Sequence, residues 1–116
     1  MADPQDRRRT PRLHTGSIVH ARCVDPLLRI LSLQDLSLGG FAIETDSEVM
    51  PGLEKTFEFD SVTGLTTLAR AVAVHCRLSA GGGRSYVSGW RFVDLAETND
   101  GVQALVDVLI TELPPT

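Results

Sequence analysis

A cluster of four arginines near the amino terminus carries the residue type best suited to gripping phosphate. The arginines fall within six residues and are Arg7, Arg8, Arg9 and Arg12. A guanidinium binds phosphate oxygens, or the O6 and N7 atoms of guanine, through two parallel hydrogen bonds. Because neighbouring side chains of an extended chain point to opposite sides, Arg9 is expected to be peripheral to a site that the others form. The cluster predicts an anion-binding arm.

A second segment, residues 35–40, supplies groups that complement the arginines. Its sequence is Asp-Leu-Ser-Leu-Gly-Gly, which is typical of a tight turn. The carboxylate of Asp35 can accept from guanine N1–H and N2–H, or cap the turn, and Ser37 can donate to the ligand or hold the turn. Gly39 and Gly40 are expected to take positive φ or to let backbone approach a ligand closely. The two segments together predict a site for a guanine nucleotide with at least one phosphate.

These segments, in this order and separated by one predicted strand hairpin, resemble the signatures of PilZ domains. Arg8 and Arg12 match the RxxxR motif, and Arg7 lengthens it to RRxxxR. Residues 35–40 match DxSxxG at every specified position. The later segment 89–94, Gly-Trp-Arg-Phe-Val-Asp, is similar to the final core strand of the family. The resemblance covers nearly the whole chain.

PilZ domains are receptors for the second messenger cyclic di-GMP, so the resemblance implies that ligand. It implies a stand-alone receptor that signals to a downstream protein controlling motility, biofilm, surface polysaccharide or virulence in a bacterium. Arg91 joins the set because it faces opposite to Trp90 in a strand and can line the ligand side of the barrel. Trp90 itself is expected in the core, with stacking on guanine as the alternative. The predicted ligand-binding residues are Arg7, Arg8, Arg12, Asp35, Ser37, Gly39, Gly40 and Arg91.

Residues 1–16 are predicted to form a flexible basic arm that orders over the ligand. They hold four arginines and two aspartates, a net charge of +2 within a chain whose total is −4. A basic arm on an acidic body suits a small anion captured locally, whereas DNA usually requires a wide basic face. The stoichiometry, one or two ligand molecules, stays open, as does the choice between monomer and homodimer.

The rest of the chain, 17–116, predicts a small antiparallel β-barrel of six or seven strands with a C-terminal helix. Alternating apolar residues mark short strands, and turns separate them at regular intervals. Apolar residues then recur at helical spacing over 99–113, with Thr98 or Asn99 as the cap. The stripe consists of Val102, Leu105, Val106, Leu109, Ile110 and Leu113.

Other function classes find little support in the 116 residues. There is no nucleophile elbow, P-loop lysine or zinc spacing, so we expect neither an enzyme nor a metal site. Cys23 and Cys76 are expected to be buried free thiols, the second in phase with Val72 and Val74. No apolar run is long enough to span a bilayer and no secretory signal is visible, so the cytoplasm is expected. The alternatives are a PilZ-like interaction module that binds no nucleotide and, less favoured, a small nucleic-acid-binding barrel.

Overall fold

Seven antiparallel strands and one helix make up the computed structural model, which describes residues 13–14, 18–25, 27–80, 84–93 and 95–112. The strands follow the order β1-β3-β4-β7-β6-β5-β2, and the six longer ones form a nearly closed barrel. The elements are β1 (Leu13–His14), β2 (Val19–Cys23), β3 (Ile30–Leu36), β4 (Gly40–Thr45), β5 (Glu54–Ser61), β6 (Thr66–Leu78), β7 (Tyr86–Phe92) and α1 (Leu95–Glu112). The predicted split barrel with a C-terminal helix is confirmed.

The barrel closes around a cluster of aromatic rings. The ring of Phe41 lies 4.9 Å from that of Phe57, 5.1 Å from Phe59, 5.3 Å from Phe92 and 6.1 Å from Trp90, measured between ring centroids. All five side chains are buried. Aromatic pairs at such separations add to the stabilisation that burial alone gives. Trp90 is therefore a core residue, as predicted, and does not offer its face to a ligand.

The helix packs mainly against β6 and begins four residues before the predicted start. Thr98 and Asn99 therefore lie inside it and do not cap it. Asp94, which lies outside the described residues, directly precedes Leu95 in the sequence.

The predicted apolar stripe of the helix is correct at its four central positions. These are buried, and they are Val102, Leu105, Val106 and Leu109. Ile110 is 60% exposed, because the stripe that contacts the sheet is narrower than the sequence pattern suggested. Leu113 lies outside the described residues.

Candidate functional site

The turn between β3 and β4 is held by Ser37. Its backbone N–H donates to the Gly40 carbonyl at 2.8 Å. Its hydroxyl lies 3.3 Å from the Gly40 carbonyl, to which it donates, and 3.3 Å from the amide nitrogens of Gly39 and Gly40, from which it accepts. Ser37 is 5% exposed. Of its two predicted roles, holding the turn is the one that these contacts describe.

Glycine is required at position 40 because the backbone of Trp90, on the neighbouring strand β7, leaves no room for a side chain. A Cβ atom built on Gly40 would lie 2.0 Å from the Trp90 carbonyl oxygen, closer than any real contact. A Cβ on Gly39 would meet only the Ser37 hydroxyl, at 4.0 Å. The expectation of positive φ at Gly39 and Gly40 was wrong, since among the described glycines the positive φ values belong to Gly52 and Gly64. The reason for Gly40 is close strand packing.

Asp35 lies in strand β3, two residues before the turn in which the sequence placed it. Strict alternation from the inward-facing Leu33 would turn Asp35 into the core. The register with β4 shifts by one residue between Leu33 and Asp35, so that Gln34 is a bulge. The bulge resets the alternation, turns Leu36 inward and leaves Asp35 half-buried on the outer face of the sheet.

Arg91 lies on the same outer face as Asp35. It is directly opposite Gly40 in the pairing of β4 with β7 and is exposed, whereas its neighbours Trp90 and Phe92 point into the core. Between Asp35 and Arg91 the sheet carries Gly40, Ala42 and Gly89, which have no side chain beyond Cβ. We call these three residues the floor. Gly40 and Gly89 are buried and Ala42 is half-buried.

Strand β1 brings the amino-terminal region to this site. Leu13 is opposite Leu36, and His14 is opposite Asp35, in an antiparallel pairing with β3. This short strand lies within the segment predicted as a flexible arm. The predicted ligand-binding residues Arg7, Arg8 and Arg12 lie outside the described residues; Arg12 directly precedes Leu13 in the sequence.

His75 is an outer-face residue that the sequence interpretation missed. Val72 and Val74 were taken to be in phase with Cys76, but Val72 is half-buried and Val74 is 53% exposed. The inner face of β6 is carried by small residues, Ala69, Ala71 and Ala73. A register shift after Ala73 makes Val74 a bulge, so that His75 follows it on the outer face and Cys76 turns inward. Alanines carry too weak an apolar signal to have revealed this.

A concavity lies between β2 and the β2–β3 loop, away from the floor. Its volume is ≈ 330 Å³, and it is lined by Ala21, Arg22, Cys23, Val24, Leu28, Arg29 and Ile30. Burial raises the pKa of the Cys23 thiol, which favours the protonated and less nucleophilic form. Cys23 and Cys76 are both free thiols; Cys23 is buried, and Cys76 is partly buried.

Polar groups around this concavity are engaged with each other. Arg22 donates to Glu58 at 2.8 Å. Lys55 is paired with Asp25, and its hydrogen bond lowers the pKa of that carboxyl and raises the pKa of the lysine. The Leu27 backbone N–H also donates to Asp25, at 3.0 Å. These contacts stabilise the fold around the concavity, so the charged residues that make them have a structural role.

Within the described residues, no three histidine, cysteine, aspartate or glutamate side chains are grouped so that they could hold a metal ion. The one helix of this part of the chain is not long and apolar enough to cross a membrane.

Comparison with known proteins gives one family. The family described as PilZ domain matches residues 6–110, which is nearly the whole chain and includes both arginine and DxSxxG motifs. No curated protein and no solved structure matches the chain significantly.

Proposed function

Since the chain belongs to the PilZ domain family, a family of receptor modules that are generally not enzymes, we propose that it is a receptor for cyclic di-GMP. One observation carries the proposal. The strand that follows Arg12 directly in the chain is paired with the strand that holds Asp35, with His14 opposite Asp35. The segment that directly follows the RxxxR motif in sequence is therefore paired with the strand that holds Asp35.

The chemistry of this edge suits a cyclic dinucleotide of guanine. The carboxylate of Asp35 accepts from the N1–H and N2–H groups of a base. Guanidiniums of Arg8 and Arg12, with Arg7, bind phosphate and the O6 and N7 atoms of guanine. The floor beside Asp35 carries no bulky side chain of its own, and Arg91 adds a cation at its far side.

The ligand is proposed to act by ordering the part of the basic arm that precedes β1, residues 1–12. Ordering costs about 1–2 kcal/mol of backbone entropy for each residue, which lowers affinity but creates a surface that exists only in the bound state. A separate protein that controls motility, biofilm, polysaccharide or virulence would recognise and bind that surface. Arm amides would then gain protection from hydrogen exchange when cyclic di-GMP is added. Equal protection with and without ligand would contradict the ordering step.

Calorimetric titration of cyclic di-GMP into the wild type tests the receptor proposal. We expect micromolar or tighter binding, no binding of GTP, and loss of binding in Arg12→Ala. Arg22→Ala is the matched control, because Arg22 lies on β2 outside the proposed site and is paired with Glu58 of β5.

No heat with the wild type would overturn the proposal and favour an interaction module that binds no nucleotide. Equal losses in Arg12→Ala and Arg22→Ala would show that general positive charge matters. A steep salt dependence of binding to nucleic acid would then favour the nucleic-acid alternative.

A further inference from the structure

One row of residues crosses four strands on the outer face of the barrel. Asp35 is opposite Ala42, Ala42 is opposite Gly89, and Gly89 is opposite His75. Each end of this row follows a bulge, at Gln34 in β3 and at Val74 in β6. Because neighbouring strands are about 4.8 Å apart, the three intervals separate Asp35 from His75 by about 14 Å.

The imidazole of His75 lies over Gly89. A Cβ atom built on Gly89 would be 2.4 Å from Nε2, 2.7 Å from Cε1 and 3.1 Å from Cδ2 of His75. The far edge of the ring therefore occupies the space that a side chain at position 89 would fill. His75 remains exposed on its other side. Its Nε2 is thus placed on the floor, where a ligand lying on the sheet would meet it.

The charges on this face divide into two halves. On β3 and β4 the outward-facing acids are Asp35 and Glu44. On β6 and β7 the outward-facing cations are Arg70, Arg77 and Arg91, and Arg70 is paired with Glu54 of β5. His75 lies between Arg77 and Arg91. The acid on the remaining side of His75 is Glu48, which precedes Val49, whose N–H donates to Cys76. Because Glu54 is paired with Arg70, the half that holds His75 is basic on the ligand side.

We propose that His75 binds a phosphate of the ligand in its protonated form and so makes affinity depend on pH. The inference rests on the proposed function. A guanine base bound at Asp35 is shorter than the distance of about 14 Å to His75. The part of the ligand that would reach His75 is therefore its ribose–phosphate ring. An imidazolium selects phosphate there, and histidine gains its charge between about pH 8 and pH 5.

The test is calorimetric titration of cyclic di-GMP at pH 5.5 and pH 8 into the wild type, His75→Gln and His75→Phe. We expect roughly tenfold tighter binding by the wild type at the lower pH, the size of one charge-assisted contact. Glutamine keeps a hydrogen-bond donor and phenylalanine keeps a ring, but neither can gain charge, so both should lose the pH dependence. His20→Gln is the matched control, since His20 is exposed on β2 opposite Asp60, away from the floor.

Titration in buffers of different ionisation enthalpy gives a second readout. The wild type should take up a fraction of a proton on binding near pH 6.5, and His75→Gln should take up less. The proposal is overturned if the wild type binds with the same pH dependence as His75→Gln, or if His75→Gln loses affinity equally at both pH values, as a neutral stacking contact would. Absence of binding by the wild type at either pH would instead count against the receptor function itself.

Discussion

The two faces of strands β4 and β7 differ although they share one backbone. The inward-facing residues are Phe41, Ile43, Ser88, Trp90 and Phe92, and all are buried. The outward-facing residues of the same strands include the small residues Gly40, Ala42 and Gly89, together with Glu44, Val87 and Arg91. Large apolar side chains on the inner face supply the burial that stabilises the barrel. The outer face carries small and charged residues instead, so the two faces should respond to substitution in different ways.

The largest effect is expected on the inner face, at Phe41. Its ring contacts four other aromatic rings and is fully buried, so Phe41→Ala should lower the free energy of unfolding by about 3–5 kcal/mol. Chemical denaturation measures the change. Phe41→Leu, which keeps much of the volume, should cost less. A loss below about 1 kcal/mol in Phe41→Ala would mean that the aromatic cluster does not hold the barrel together.

Gly40 sharpens the comparison because it faces outward, yet the backbone of the inward-facing Trp90 leaves no space for a side chain at this position. In Gly40→Ala the new Cβ would meet the Trp90 carbonyl oxygen, and separating the strands should cost about 3 kcal/mol. The adjacent Gly39→Ala is the control and should stay within about 0.5 kcal/mol, since its nearest atom is 4.0 Å away. Similar melting temperatures for the two variants would contradict this assignment.

Ser37 connects the two faces through the turn. Ser37→Ala removes the acceptor for the amides of Gly39 and Gly40 in a buried place, and should cost about 2 kcal/mol. Ser61→Ala is matched to it, because the Ser61 hydroxyl also accepts from a turn amide, that of Leu65, but in an exposed position. The control should cost less than about 0.5 kcal/mol. Denaturation curves that shift equally would show that burial does not set the cost.

Arg91 should report the outer face alone. Arg91→Ala is expected to change the free energy of unfolding by less than about 0.5 kcal/mol, because the side chain is exposed. The affinity of the Arg91→Ala variant for cyclic di-GMP should be roughly tenfold lower than that of the wild type if the Arg91 side chain binds phosphate. Denaturation and calorimetry on the same preparation separate the two effects. A large loss of stability with unchanged affinity would reverse the proposed division between faces.

The smallest effect is expected at Asp25, which lies on neither face of this comparison. Lys55 lowers the pKa of the Asp25 carboxyl, so the pair stabilises the fold above about pH 4 and this contribution is lost as pH falls through the folded pKa. The difference in melting temperature between the wild type and Asp25→Asn should therefore be present at pH 7 and shrink as the pH falls below about 4. A difference that grows towards acid pH would have the wrong sign.

Local patterns were sufficient for the architecture. Alternation along residues 55–59 predicted one strand, the run 65–78 predicted a long or bent one, and helical spacing predicted α1, because burial of one face imposes a period on a single element. The motif residues Asp35, Ser37 and Gly40 were also identified from the sequence. Their positions were not, since Asp35 lies in a strand and Gly40 has no positive φ.

The sequence by itself determined that this chain forms a small barrel with a C-terminal helix and carries both PilZ motifs. Only the tertiary structure decided which face each motif residue occupies. Bulges at Gln34 and Val74 reverse the alternation that periodicity predicts, and they place Asp35 and His75 at the ends of one row. A bulge depends on the register between two strands distant in sequence, and that register is set by how the aromatic core packs. No local pattern contains that information.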